Sequence, residues 1–277
     1  MRKHITIIKF GTNVLFPTLS LQESIGKKEK EFDSAARQIA TVRTTDRRVV
    51  VVTSGAIEIC KIHCAQRGIT GLEDEQIAAV GARQIMNAWG TAFERHGIVV
   101  AQILVTYANL TDPSERGTLV KNIHRLLDAG VVPIINENDP VSAEEVEALH
   151  RQIGDNDTLT SMLAQPIEAD RVLILTDQEY VFEFEPRPGG PAPFKYLEID
   201  CHAVPESLLS APISATSRGG MPAKVKAAAT CARLGMAATI ARFYANRDTI
   251  VWLEEGRSVG TKFGNQTVTQ PTTVMLV

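Results

Sequence analysis

Six apolar, β-branched runs recur along the chain and predict the strands of a single sheet. They are "ITIIKF" from Ile5, "RVVVVTSG" from Arg48, "IVVAQILVT" from Ile98, "VVPIIN" from Val131, "RVLILTD" from Arg171 and "AATIARF" from Ala237. Most of them are apolar at every position rather than at alternate positions. Strands of that kind are buried on both faces, which is typical of parallel or mixed sheets covered by helices on each side.

Stretches with helical spacing separate these runs. The segment "EFDSAARQIATVR" places four apolar side chains on one helical stripe, namely Phe32, Ala36, Ile39 and Val42. Two longer helical segments stop at Gly97 and Gly130, since glycine is favoured just after the last helical turn. The alternation of strand and helix predicts an α/β fold, a three-layer α/β/α sandwich with a central, mainly parallel sheet.

Composition and charge narrow the class of partner. The chain has 277 residues, of which 44% are hydrophobic and 22% charged, so it can bury a large core. Its formal charge of −3 provides no broad basic field, so we expect small molecules and not nucleic acid as partners. No apolar run approaches the roughly 20 residues of a membrane helix, and none near the start resembles a signal peptide. We therefore expect a cytoplasmic protein that does not bind membranes.

Two of the four cysteines are spaced for contact on a helix. Cys60 and Cys64 lie four residues apart with His63 between them, so a helix would place both thiols on one face. A zinc or redox site is one interpretation, but no second ligand pair with metal-site spacing follows. Reduced, semi-buried cysteines are favoured here, as they are for the isolated Cys201 and Cys231.

Four predicted strands end in unusual polar groups. These are "KFGTN" from Lys9, "TSGA" from Thr53, "NEND" from Asn136 and "TDQ" from Thr176. Ligands of α/β sheets bind beyond the carboxyl ends of strands. Gly11 and Gly55 would let the backbone approach a ligand, and the helix expected after Gly55 would favour phosphate at its N-terminus. Each motif alone fits an ordinary strand-to-helix turn, but four together favour a ligand site.

A glycine loop supplies a further candidate for phosphate binding. In "SRGGMPAKVKAAATCARLG", Gly219 and Gly220 lead to Pro222, and Lys224 falls in the first turn of the predicted helix. The chain has no Walker P-loop, no G-x-G-x-x-G and no protein-kinase catalytic loop. The stretch "EFEPRPGGPAPF", Glu183 to Phe194, is too rich in proline and glycine for regular structure and predicts a loop or flap.

The motifs occur together in a recognisable order. The series "IKFGTNVL", "VVVVTSGAI", "AAVGARQIM", "VVPIINENDPV", "IGDNDTLT", "LILTDQ", "GGMPAKVKAA" and "SVGTKF" resembles the glutamate 5-kinases of the amino acid kinase family over about residues 5 to 263. That resemblance implies a three-layer α/β/α fold. It also implies transfer of the γ-phosphoryl group of ATP, with magnesium (Mg2+), to the side-chain carboxylate of L-glutamate, the first step of proline biosynthesis.

The resemblance implies roles for individual residues. Lys9 and Lys224 would neutralise the transferring phosphoryl group and Asp157 would hold both lysines, which suits a reaction driven by positioning and electrostatics. The positions that match substrate-binding residues of the family are Ser54, Gly55, Asp139 and Asn156. The positions that match nucleotide-binding residues are Gly11, Thr176, Asp177, Arg218, Gly219, Gly220, Met221 and Lys224. No residue is assigned as a metal ligand.

Some positions depart from the family pattern and leave alternatives open. Glu58, Ile59 and Cys60 follow "TSGAI" where small residues are usual, and Tyr107 and Asn109 replace the usual "R-x-D" pattern. A kinase for a different amino acid or small carboxylate, or a non-catalytic sensor, are the alternatives. Retention of the lysines and of Asp157 argues against the sensor, because a binding module needs no charge on a transferring phosphoryl group.

The resemblance also bears on organisation and partners. It implies a single kinase domain over 1–277, with a substrate lobe at about 1–168 and a nucleotide lobe at about 169–277. The RNA-binding-like (PUA) domain that many relatives carry at the C-terminus is expected to be absent. Self-association into a homo-oligomer and a downstream glutamyl phosphate reductase are further expectations.

Overall fold

The described part of the chain folds around one eight-stranded sheet. In the computed structural model, which describes residues 3–17, 24–44, 46–141, 156–184, 194–210 and 220–264, the sheet contains these strands: β1 His4–Phe10, β2 Arg47–Thr53, β3 Val100–Val105, β4 Val132–Glu137, β5 Arg171–Thr176, β8 Glu198–Asp200, β9 Ala237–Arg242 and β10 Thr261–Gly264. The short strands β6 (Val181–Phe182) and β7 (Lys195–Tyr196) pair separately and antiparallel. All six strands that the sequence predicts are therefore confirmed.

The strand order places β1 near the middle of the sheet. The order is β3-β4-β2-β1-β5-β9-β10-β8, and the neighbours from β3 to β9 are parallel. β10 runs antiparallel to β9 and parallel to β8. After His4, every residue of β1 is buried, as expected for a strand covered on both faces. The prediction of a mainly parallel sheet is confirmed.

Helices cover both faces of the sheet and complete three layers. Their bounds are α1 Thr12–Leu15, α2 Ser24–Val42, α3 Ala56–Ala65, α4 Asp74–Glu94, α5 Tyr107–Thr111, α6 Pro113–Asp128, α7 Asn156–Ala164, α8 Glu206–Leu209, α9 Gly220–Arg233 and α10 Thr249–Glu254. One core lies between the sheet and α6, α7 and α9. A second core lies on the opposite face against α2, α4 and α10. The predicted three-layer α/β/α sandwich is confirmed.

An aromatic cluster in the second core supports the ends of β1 and β2. The ring of Trp89 on α4 lies 5.1 Å from that of Phe10 and 4.8 Å from that of Phe32, both edge-to-face. The buried indole Nε1 of Trp89 donates to Thr53 Oγ1 at 2.9 Å. Contacts with Trp89 thus fix Phe10 and Thr53, the last residues of two adjacent strands, and hold the turns that follow them.

Several predicted features fall partly or wholly outside the described residues. Only the ends of the predicted loop from Glu183 to Phe194 are described, where the Glu183 N–H donates to the Phe194 carbonyl at 2.9 Å. Arg218 and Gly219 also lie outside the described residues, as do residues 265–277. Within the described residues, every helix is too short or too polar to cross a membrane. The division into lobes near residue 168 stays a prediction.

Candidate active site

The polar motifs that follow the strands lie along one edge of the sheet. β4, β2, β1 and β5 are consecutive and parallel, so their carboxyl ends point the same way. The four motifs predicted to form a site follow these four strands. Ligands of α/β sheets bind beyond the carboxyl ends of the strands, which is where these motifs lie.

Three charged side chains from separate segments of the chain meet near this edge of the sheet. Lys9 Nζ lies 2.6 Å from Asp157 Oδ1, and Lys224 Nζ lies 2.9 Å from Asp157 Oδ2. All three residues are buried, and the Asp157 side chain is only 1% exposed. Asp157 therefore bridges the two lysines, and we call the three residues the charged triad.

Strand alternation explains why these residues meet. Successive side chains of β1 point to opposite faces, so Lys9 shares its face with Ile5 and Ile7. Those two residues belong to the core that packs against α7 and α9. Asp157 is the second residue of α7 and Lys224 the fifth of α9, so both lysines reach one carboxylate.

The start of α9 differs from the sequence prediction. The helix begins at Gly220, which has a φ of 56°, so Lys224 lies in the second turn and not in the first. Its Nζ donates to the Gly220 carbonyl at 3.3 Å as well as to Asp157. Glycine accepts the positive φ that most residues avoid, which gives Gly220 a conformational role at this point.

The electrostatics of the charged triad favour an anionic ligand. Burial raises the pKa of Asp157, but the charges of Lys224 and Lys9 and their hydrogen bonds outweigh it and lower the pKa to about 2. Asp157 is thus ionised at neutral pH. With two lysine charges and one carboxylate charge, the three buried side chains together carry a net charge of +1. An anion that enters this site meets a prearranged cation.

A second pair of predicted residues meets beside the charged triad. Asn156 Nδ2 donates to Ser54 Oγ at 3.0 Å. The Oδ1 atom of Asn156 is buried and has no hydrogen-bond partner among the described residues. Buried acceptors of this kind normally have a donor. Within the described residues, Asn156 Oδ1 is therefore an acceptor without a donor.

The remaining predicted substrate positions follow β2 and β4. Gly55 has a φ of 99° and immediately precedes α3. Asp139 begins a single 3-10 turn, Asp139–Val141, after β4. Since β2 and β4 are neighbours, both positions lie on the same stretch of the edge.

Two close packing contacts at this end were not apparent from the sequence. A Cβ atom added to Gly81 on α4 would lie 1.7 Å from the carbonyl oxygen of Ala56, the first residue of α3. A Cβ atom on Gly55 would lie 2.3 Å from the ring of Phe16. The motif "AAVGARQIM" contained the signal for Gly81, because a glycine inside a helix often marks a close backbone approach.

The predicted nucleotide positions follow β1, β5 and the start of α9. The Gly11 N–H donates to the Leu175 carbonyl at 3.2 Å, which ties the turn after β1 to the end of β5. Asp177 accepts from Thr176 Oγ1 and from Asn13 Nδ2, each at 3.1 Å. Asn13 was missed by the sequence interpretation, although it lies inside the quoted "KFGTN" motif. Gly220 and Met221 begin α9, beside Lys224.

The sequence of the chain is similar to those of one protein family. The family model described as "Amino acid kinase family" matches residues 4–242. A glutamate 5-kinase of Symbiobacterium thermophilum is 34% identical over 94% of this chain and 95% of its own length. A glutamate 5-kinase of Methanosarcina barkeri is 35% identical, and the match covers 93% of this chain and 67% of that protein.

Solved structures share the fold at low sequence identity. A carbamate kinase of Giardia lamblia bound to AMP-PNP has a TM-score of 0.66 and 18% identity, over 95% of this chain and 98% of that chain. An isopentenyl phosphate kinase has a TM-score of 0.59 and 15% identity, over 94% of this chain and 100% of that one. At these identities the likeness concerns the fold alone.

Proposed function

The chain belongs to the amino acid kinase family, and from that premise we propose that it transfers the γ-phosphoryl group of ATP to the side-chain carboxylate of L-glutamate. The glutamate 5-kinases at 34% and 35% identity support this choice of acceptor. The observation that carries the proposal is the charged triad. A buried net positive charge at the carboxyl ends of the central strands suits a reaction between two anions.

The reaction forms one bond and breaks one. An oxygen of the glutamate side-chain carboxylate attacks the γ-phosphorus, and the bond between that phosphorus and the bridging oxygen breaks as ADP leaves. The carboxylate is already ionised, so the step needs no general base. Lys9 and Lys224 stabilise the charge on the transferring group from two sides, and Asp157 fixes both ammonium groups.

Residues after β2 and β4 and at the start of α7 recognise the amino acid in this proposal. The buried Oδ1 of Asn156 accepts a hydrogen bond from the ammonium group of glutamate, and the carboxylate of Asp139 adds opposite charge. Ser54 orients Asn156 through its 3.0 Å hydrogen bond. The turn at Gly55 brings backbone N–H groups to the substrate.

Residues after β1 and β5 hold the nucleotide. In this proposal Gly11 and Gly220, which lack a Cβ, leave room for the phosphates, and Thr176, Asp177 and Met221 line the nucleotide side. The described residues contain no group of three or more histidine, cysteine or acidic side chains able to hold a metal ion. Mg2+ bound with ATP would supply charge neutralisation at the nucleotide's phosphates.

A hydroxamate assay tests the proposal. The purified protein is incubated with MgATP, hydroxylamine and L-glutamate, and in parallel with aspartate, N-acetylglutamate, glutamine and other small carboxylates. Hydroxylamine captures an acyl phosphate as a stable hydroxamate, and ADP is measured in the same samples. We expect hydroxamate and ADP in equal amounts, with L-glutamate as the best acceptor.

The panel separates a wrong substrate from a wrong reaction. Hydroxamate with another acid alone would keep the phosphoryl transfer and refute glutamate. ADP without hydroxamate, or no product with any acid, would refute the transfer itself. A reductase that consumes the labile acyl phosphate, self-association and a cytoplasmic location stay predictions.

A further inference from the structure

Two cysteines outside the charged triad lie in direct contact. Cys60 Sγ and Cys64 Sγ are 3.4 Å apart, one turn from each other on α3. Both are buried, with exposures of 0% and 7%. The proposed phosphoryl transfer uses neither thiol, so the pair is unexplained by that function.

The backbone geometry disfavours a direct disulfide between them. A disulfide needs Cβ atoms roughly 3.5–4.5 Å apart. Residues four apart on an α-helix have Cβ atoms about 5–6 Å apart. Oxidation to a disulfide would therefore have to distort α3, which is helical from Ala56 to Ala65.

The same geometry suits one atom that bonds to both sulfurs. Bonds of about 2.3 Å at a tetrahedral zinc ion place two sulfurs about 3.8 Å apart. Trivalent arsenic is pyramidal and holds its sulfurs at a smaller angle, hence closer together. The 3.4 Å contact between the two thiols shows that both sulfurs can reach one such atom.

No third protein ligand is available from the neighbouring histidine. His63 Nδ1 lies 3.1 Å from Arg67 Nη1, and its Nε2 lies 3.3 Å from the Gln84 amide nitrogen. The ring lines a groove of about 340 Å³ between α2, α3 and α4. The described part of the chain contains no cluster of three or more potential ligands. A monosubstituted arsenic atom needs two sulfurs only, since carbon occupies its third bond.

We propose that Cys60 and Cys64 form a dithiol site for monosubstituted trivalent arsenic compounds. With phenylarsine oxide, two arsenic–sulfur bonds replace the arsenic–oxygen bond, and the two thiol protons leave with the oxygen as water. No oxidant or reductant is needed, because arsenic and sulfur keep their oxidation states. The site is independent of the proposed kinase activity.

The protonation state of the two thiols and their access to solvent determine how readily they react. Burial raises the pKa of Cys60 to about 11, and the hydrogen bond with Cys64 and the charge of Cys64 act in the same direction. Since the thiolate is the reactive form, alkylation at neutral pH is slow. Access is through the end of α3, because the residues from 65 to 71 that follow Cys64 are exposed. Local opening of the last helical turn would admit the reagent.

Intact mass spectrometry tests the site on the folded protein. The reduced chain is incubated to equilibrium with phenylarsine oxide and an excess of glutathione, a monothiol that removes arsenic from single cysteines. We expect one phenylarsenic group per chain in the wild type and in the variant Cys201→Ala, Cys231→Ala. The adduct should be absent from Cys60→Ala and from Cys64→Ala.

A second readout needs no variant. Trypsin cleaves after Lys61, between the two cysteines, so the adduct should join the peptide that ends at Lys61 to the peptide Ile62–Arg67. Absence of an adduct in the wild type, or its persistence in Cys60→Ala, would overturn the proposal. So would ready formation of a Cys60–Cys64 disulfide with diamide under conditions that give no arsenic adduct.

Discussion

Lys9 and Asp157 form a buried ion pair, with Nζ 2.6 Å from Oδ1, although Lys9 is the last but one residue of β1 and Asp157 the second residue of α7, far along the chain. The same carboxylate binds Lys224 at 2.9 Å. One acidic residue thereby fixes two cations at the carboxyl ends of the central strands. The predictions below follow from this geometry and from the packing around it.

Lys224→Ala should abolish or strongly lower turnover while leaving the fold intact. Loss of one preorganised cation should reduce kcat by at least about a hundred-fold. The fold should persist at some cost in stability, because Lys224 helps to keep Asp157 ionised while Lys9 still pairs with it in the variant. Steady-state kinetics and a thermal melt measure the two effects. Lys226→Ala, an exposed neighbour on α9, is the control. Equal activity in Lys224→Ala would rule out the proposed role of Lys224.

The charged triad should make stability depend on acid pH. The folded-state pKa of Asp157 is about 2, below the ordinary value of about 4, so its contribution is complete above about pH 4 and is lost as the pH falls through 2. From about pH 5 to about pH 3 the loss should be about 1 kcal/mol.

The double variant Lys9→Met, Asp157→Asn isolates this contribution. It keeps one lysine, so the three positions of the charged triad together still carry a net charge of +1. Urea titrations at about pH 5, 4 and 3 give the free energy of unfolding of both proteins. The gap between wild type and variant should narrow by about 1 kcal/mol as the pH falls. A constant gap would show that Asp157 does not titrate as described.

Gly81→Ala and Gly90→Ala should have opposite effects although both lie in α4. The new Cβ at Gly81 would meet the Ala56 carbonyl at 1.7 Å, whereas Gly90 has nothing within 4 Å. We expect Gly81→Ala to cost about 2–3 kcal/mol and to displace the turn at Gly55. Gly90→Ala should stabilise by up to about 1 kcal/mol. Similar effects of both on chemical unfolding would contradict the close helix crossing.

Asn156→Ala should impair binding of the amino acid more than binding of the nucleotide. Its buried Oδ1 has no partner within the described residues, so loss of a charge-assisted hydrogen bond should raise KM for glutamate about ten- to a hundred-fold. KM for ATP should stay within about two-fold, as should both constants in the control Asn87→Ala on α4. A larger increase in KM for ATP than for glutamate would show that Asn156 contacts the nucleotide and not the amino acid.

Local patterns predicted the elements of the fold but not the contacts between them. The six long strands followed from apolar runs, whereas β8 and β10, with three and four residues, are too short to show a period. The positions Lys9, Asp157 and Lys224 came from the motif resemblance, and strand alternation explains their meeting. The hydrogen bond from Asn13 to Asp177 and that from Trp89 to Thr53 depend on strand order, which no local pattern contains.

Transfer of a labelled oxygen tests the central claim most directly. L-Glutamate with heavy oxygen in its side-chain carboxylate is incubated with the enzyme, MgATP and hydroxylamine, and the inorganic phosphate is analysed by mass spectrometry. Attack of the carboxylate on the γ-phosphorus leaves one carboxylate oxygen on phosphorus, and hydroxylamine then cleaves at the carbonyl carbon. We predict one heavy oxygen in each phosphate, formed in step with ADP. Unlabelled phosphate with ADP would show that water is the acceptor and would contradict the proposed function.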